Sequence, residues 1–182
     1  MPLPPPRDPA GPYRVCLVCL GNICRSPMAE VVLRAHLVAT GLASRVLVDS
    51  AGTGDWHVGD KMNSRARAQL ARRGYDGEAH RARQFTATWF PERDLVLAMD
   101  SSNFKDLSTM SKTTPSTPSR LALFGDIAGL SGADIPDPYG GNPVAFAQVL
   151  DLLESAMPVL VAELEDVLGR PGADAPGAGR AG

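Results

Sequence analysis

Apolar positions along the 182-residue chain fall into compact runs that alternate with longer, interrupted stripes. Residues 13–20 (YRVCLVCL) form the first compact run and predict a strand. Residues 45–49 predict a second, where Val46 and Val48 add β-branched side chains, and 94–99 and 121–124 predict a third and a fourth. Between these runs the apolar spacing lengthens to that of helices lying on a sheet. One is predicted over 28–40, next to Pro27, which a first turn tolerates, and ending before Gly41. Ser64 is placed to cap a second over 65–73 that stops at Gly74; a short helix follows over 101–107 and a long amphipathic one over 143–168, where Pro158 is expected to disturb the ladder. The alternation predicts an α/β single domain with a four-stranded parallel sheet flanked by helices on both faces, its loops at the carboxyl ends of the strands available for a site. No internal repeat is visible.

The ends differ from the middle. Residues 1–12 (MPLPPPRDPAGP) read as a flexible, Pro-rich arm and 169–182 as a flexible tail, leaving 13–168 as the domain. A hydrophobic fraction of 44% and a net charge of -2 describe an ordinary globular chain and give no reason to expect a nucleic-acid partner. The Arg-bearing stretch 65–83, interrupted by Asp76 and Glu78, reads as a solvated face. The three cysteines, Cys16, Cys19 and Cys24, fall within nine positions, which argues against a disulfide framework. The first residues lack the apolar core of a secretory signal, and no uninterrupted apolar run looks long enough to span a bilayer. A cytoplasmic protein without a membrane partner is expected.

The chemistry concentrates in Cys19-Leu20-Gly21-Asn22-Ile23-Cys24-Arg25-Ser26-Pro27, between the first strand and the first helix. An oxyanion needs several donors converging on it, and backbone amides of a tight loop entering a helix N-terminus supply them. Gly21 and Asn22 tolerate positive φ, so residues Leu20, Gly21, Asn22, Ile23 and Cys24 can curl into a cradle that continues into Ser26, while Arg25 offers a planar fork to two phosphoryl oxygens. The same field favours the nucleophilic, ionised form of a cysteine at the loop's start, which is Cys19. Ser26 can donate its hydroxyl to that sulfur, and it can equally serve as a helix cap. The ending Gly-Lys-Ser/Thr of a nucleotide-binding loop is missing, and no His/Cys/Asp cluster has convincing metal-ligand spacing, so neither a metal nor another cofactor is expected.

With Asp49-Ser50-Ala51-Gly52-Thr53, His80-Arg81-Ala82-Arg83-Gln84, Ala98-Met99-Asp100 and Asp137-Pro138-Tyr139, this loop resembles the low-molecular-weight protein tyrosine phosphatases over about residues 13–168. The resemblance implies a metal-independent phosphoric monoester hydrolase that cleaves phosphotyrosine and aryl phosphates through a phosphocysteine intermediate. Its partners would be a phosphotyrosine-containing protein and inorganic phosphate as product or inhibitor. It assigns Cys19 as nucleophile, Arg25 as phosphate ligand and Asp137 as general acid, and it puts Ser50 and His80 in the network that supports Asn22. Trp56 and Tyr139 would wall the substrate pocket, and Cys24 would be the redox partner of Cys19. From the residues alone, Ser50 is a turn residue, His80 a surface histidine and Asp-Pro-Tyr-Gly-Gly an exposed turn; covering core is the alternative for either aromatic, and plain packing the alternative for Cys24. Gly140 stands where the family often has a second aromatic, opening one side of the pocket rim. An arsenate reductase of related fold would need thiols downstream, and no cysteine follows Cys24; a noncatalytic phosphotyrosine-binding module would have no use for both Cys19 and Asp137.

Overall fold

The computed structural model describes residues 2–113 and 120–169; the expected tail beyond Gly169 lies outside them. Four strands, β1 (Tyr13–Cys19), β2 (Val46–Gly52), β3 (Leu95–Ala98) and β4 (Leu121–Leu123), form one parallel sheet in the order β2-β1-β3-β4. The helices are α1 (Arg25–Ala39), α2 (Ser64–Arg72), α3 (Ser101–Ser111), α4 (Phe124–Ile127) and α5 (Pro143–Leu168), with a 3-10 segment at Ala87–Glu92. β1 is central and buried on both faces, which is why its sequence reads as a nearly unbroken apolar run. Alternation sends Val15, Leu17 and Cys19 into a core shared with α1 and α5, and Cys16 and Val18 into a smaller core closed by Phe85, Phe90 and Leu107. Both faces are therefore covered.

Several boundaries differ from the sequence expectation for physical reasons. β2 runs on through Ser50 and Ala51 to Gly52, because these residues pair with Leu17, Val18 and Cys19 of β1. α1 starts at Arg25, ahead of Pro27, and α3 continues to Ser111. Asn63 caps α2 in place of Ser64, its side chain accepting from the Arg65 amide. The 3-10 segment and α4 carried no periodic signal, being only six and four residues long. α5 passes through Pro158 without a break; Pro158 sits on the solvent side, where water can satisfy the carbonyl that loses its amide partner.

α5 is long and apolar without being an uninterrupted apolar run, since Asp151 and Glu154 lie within it. By length and composition it could cross a bilayer, with a mean hydropathy of 1.6 over 18 residues. Here its stripe of Phe146, Val149, Leu150, Leu153, Met157, Leu160 and Leu164 is consumed by the core against α1 and α2.

The N-terminal arm is Pro-rich but tied down. Leu3 is buried, and the Tyr13 hydroxyl donates to the Pro4 carbonyl at 2.9 Å. The anchor is Asp94, buried at the amino-terminal end of β3, whose carboxylate accepts from the amides of Arg7 (2.6 Å) and Arg14 (2.8 Å). Arg120 lies 3.5 Å from the same carboxylate and donates to the Pro5 carbonyl. Arg7 completes the attachment through the Arg93 carbonyl. Replacing Asp94 by Ala leaves these donors without a buried acceptor and should lower unfolding free energy by about 2–4 kcal/mol. Urea titration measures the loss, and faster hydrogen exchange at the Arg7 amide should accompany it; an unchanged midpoint would remove Asp94 as the anchor.

Candidate active site

The loop between β1 and α1 lies at the carboxyl end of the central strand and leads into the N-terminus of α1. Of the two residues expected to tolerate positive φ, Gly21 does not adopt it, while Asn22 takes a left-handed conformation, φ 56°. All of its polar groups are engaged. Its amide reaches Cys19 Sγ at 3.3 Å, its Nδ2 donates to Ser26 Oγ and Ser50 Oγ, both at 2.9 Å, and its Oδ1 accepts from the Arg83 amide at 2.9 Å. Its carbonyl accepts from His80 Nε2 at 2.7 Å, which assigns the proton to that nitrogen. Burial pushes the His80 imidazole down from its ordinary range, keeping it the neutral donor this bond uses. Ser50 and His80 thus both hydrogen-bond to Asn22.

Ser26 Oγ lies 3.0 Å from Cys19 Sγ, and the N-cap of α1 has no side-chain cap. Of its two sequence readings, the sulfur contact is the one realised. Behind it stands a residue that sequence reasoning missed: Glu30, buried on α1, accepts from Ser50 Oγ at 2.5 Å and pairs with Arg34 at 2.7 Å. Its signal was a carboxylate one turn beyond Ser26 on a helix face of Met28, Ala29, Val32 and Leu33.

Arg25 is buried, and two acidic residues converge on it. Nη1 meets Asp100 Oδ2 at 2.5 Å and the Ile135 carbonyl at 3.1 Å; Nη2 meets Asp137 Oδ2 at 3.0 Å. Burial works against the charge of the guanidinium, but Cys19 and the two carboxylates outweigh it, and its pKa is raised. Nε is buried without a hydrogen-bond partner. Asp100 belonged to a family marker but carried no expected role; it also caps α3 through the Asn103 amide. Asp134, the alternative carboxylate, instead accepts from the amide and hydroxyl of Ser101, away from the pocket.

A pocket of about 270 Å³ opens over the sulfur, lined by Cys19, Leu20, Gly21, Ile23, Cys24, Arg25, Asp137 and the rim residues Trp56, His57 and Tyr139. Trp56 and Tyr139 are exposed at 70% and 62%, so neither covers core. Trp56 folds back over Gly54, where a Cβ would collide with its ring at 1.8 Å. Cys24 faces the same pocket, and burial first, then Cys19 and Asp137, push its thiol up to about 12 against the pull of Arg25. Cys16 lies on the other face of β1. Among the described residues no group of three or more His, Cys, Asp or Glu is placed to hold a metal ion.

A cysteine at the start of a loop that enters a helix N-terminus, with a buried arginine and a carboxylate lining the same pocket, on a parallel sheet covered on both faces, fits an oxyanion-handling enzyme site of the phosphatase type. The chain belongs to the low molecular weight phosphotyrosine protein phosphatase family, whose model matches residues 14–168. It is 45% identical over 161 residues to a low molecular weight protein-tyrosine-phosphatase of Streptomyces coelicolor, covering 87% of this chain and 98% of that one. A protein tyrosine phosphatase of Entamoeba histolytica, solved with Hepes in its active site, superposes with a TM-score of 0.79 at 32% identity over 85% of this chain and 97% of that one. The YwlE arginine phosphatase of Bacillus subtilis, in a mutant with a phosphorylated active-site serine, gives 0.77 at 26% identity over 84% and 96%.

Gly52 fixes how closely β2 approaches the loop. A Cβ there would sit 2.6 Å from the Leu20 carbonyl oxygen and 3.1 Å from the Asn22 amide nitrogen, both backbone atoms that cannot step aside alone. Gly52→Ala should therefore displace the cradle and lower kcat/KM for an aryl phosphate by about 10²-fold in a protein that remains folded by circular dichroism. Retention of native kcat/KM would show that the loop does not depend on this contact.

Proposed function

We propose that the chain hydrolyses phosphotyrosine in proteins, and simple aryl phosphates, through a phosphocysteine intermediate on Cys19. The observation that carries this reading is the convergence on Cys19 Sγ of the Asn22 amide and the Ser26 hydroxyl, beside a buried Arg25 whose Nε is unpartnered. A phosphoryl group seated there meets the loop amides of residues 20–26 and the Arg25 fork. The Cys19 thiolate attacks phosphorus, the bond from phosphorus to the aryl oxygen breaks, and Asp137 gives that oxygen its proton. Water then attacks the phosphocysteine, its proton passes to Asp137, and sulfur leaves as thiolate with Ser26 as donor. Arg25 and the amides carry the charge on the phosphoryl group, which supports a reaction without metal. Trp56 and Tyr139 flank the aryl ring. A nucleophilic thiol needs a reducing surrounding, which supports a cytoplasmic setting.

Asp137 must release Arg25 before it can act, since its Oδ2 contacts Nη2 and its Oδ1 accepts from the Tyr139 amide. This is a side-chain movement, and the carboxylate is 42% exposed. Cys19→Ser should abolish turnover of aryl phosphate, by at least about 10³-fold, while phosphate binding persists by calorimetry. Asp137→Asn should slow substrates with poor leaving groups by about 10²-fold and good ones much less. Chelator should leave the native rate unchanged, and phosphoarginine should be hydrolysed far more slowly than phosphotyrosine. Native activity in purified Cys19→Ser, equal slowing across the leaving-group series, or rescue of a chelated enzyme by Mg²⁺ would each overturn its part of the mechanism.

Cys24 is proposed as the redox partner. Peroxide takes two electrons from the Cys19 thiolate to give the sulfenic acid and hydroxide; the Cys24 sulfur then attacks it, forming the disulfide and releasing water. The charge of Cys19, one cause of the high pKa of Cys24, disappears in the first step. After peroxide and then a dithiol, activity should return in the native protein and not in Cys24→Ser. Equal recovery, with no Cys19–Cys24 linkage in peptide mass maps, would refute the pairing.

A further inference from the structure

His57 sits inside the mouth of the pocket, between two elements that the sequence analysis treated separately. Its ring lies against the phosphate loop so closely that a Cβ at Gly21 would come within 3.1 Å of Cδ2 and 3.9 Å of Nε2. On the acid-loop side it faces the Tyr139 ring, with centroids 6.2 Å apart and planes tilted by 56°. Its orientation is fixed from a third direction, because Nδ1 is 3.0 Å from Asp60 Oδ2. The imidazole side chain is 29% exposed, less than half the exposure of Trp56 beside it. Trp56 folds back over Gly54, so consecutive residues of one loop present a broad apolar wall and a polar ring to the pocket.

With Nδ1 committed to Asp60, Nε2 is the ring atom left to meet a substrate. The phosphate loop below supplies donors for phosphoryl oxygens, and Trp56 and Tyr139 supply apolar surface for an aryl ring. Neither meets the main-chain amides and carbonyls that accompany phosphotyrosine in a protein and are absent from a free aryl phosphate. Building on the phosphotyrosine reading, we propose that His57 is a specificity-determining residue: held by Asp60, it hydrogen-bonds through Nε2 to the peptide backbone flanking phosphotyrosine, and so separates phosphoprotein from small aryl phosphate.

The test exploits side-chain isosteres. His57→Gln carries an amide near the position of Nε2, His57→Asn carries one near Nδ1, and His57→Phe keeps a ring with no nitrogen. KM and kcat are measured for a phosphotyrosyl hexapeptide and for p-nitrophenyl phosphate, with thermal midpoints as a folding control. For the peptide, KM should rise about tenfold in His57→Phe and His57→Asn, the loss of one hydrogen bond, and less than about threefold in His57→Gln. The ratio of kcat/KM between peptide and aryl phosphate should fall in the same order. Asp60→Asn, which retains a partner for Nδ1, should change that ratio less than Asp60→Ala. Equal effects of the three His57 variants, or equal loss on both substrates, would overturn the assignment and leave the ring a passive wall. A native enzyme inert on both substrates would overturn the phosphotyrosine reading itself and this assignment with it.

Discussion

Asn22 holds a backbone conformation that costs a non-glycine residue about 1–2 kcal/mol, and the geometry of the whole site follows from its doing so. In that conformation its amide points at Cys19 Sγ and its side chain points away, toward Ser26 and Ser50. Bonds to both ends of its side chain and to its carbonyl, each worth about 0.5–1.5 kcal/mol, outweigh the cost. Their partners come from α1, β2 and the segment around His80 and Arg83, so the sulfur's environment is set by the packing of three separate parts of the chain. From the sulfur the network runs outward through Ser26, Asn22, Ser50 and Glu30 to Arg34 at the surface.

Much of this was legible in the sequence because it depends on local rules. The four strands, the order of helices and the long α5 follow from apolar period, and the loop from Cys19 to Arg25 follows from residues that tolerate positive φ next to a helix start. What the sequence hid is pairwise and long-range. The extension of β2 to Gly52 depends on its register with β1, and nothing within 50–52 reads as a strand. Asp100 reaches Arg25 across 75 positions, and the arm reads as a free tether until Asp94 is seen buried beneath it, 87 residues from Arg7. His57 was overshadowed by its aromatic neighbour, whose place in the pocket rests on the same loop.

The two ends of the sheet carry different work. At the carboxyl ends of the strands the backbone of Asn22 is held in an uncommon conformation beside a pocket. At the amino ends, Asp94 gathers the arm, β1 and Arg120 into a closed set of hydrogen bonds. β1 spans the two, so the strand that ends in Cys19 is secured at its far end by the anchor at the base.

The contact of Asp137 with Arg25 gives the site an internal rival for its own ligand. The carboxylate is tethered to the same molecule, so it is offered to the guanidinium at an effective concentration that dilution cannot lower. On the proposed reaction, an incoming phosphate exchanges one anion for another at Arg25, and part of its attraction is cancelled before it binds. In the same proposed cycle the rivalry acts on departure: as orthophosphate loosens, the carboxylate is placed to retake Arg25 and oppose rebinding. The proposed phosphatase would thereby carry, in one ion pair, its own means of releasing product.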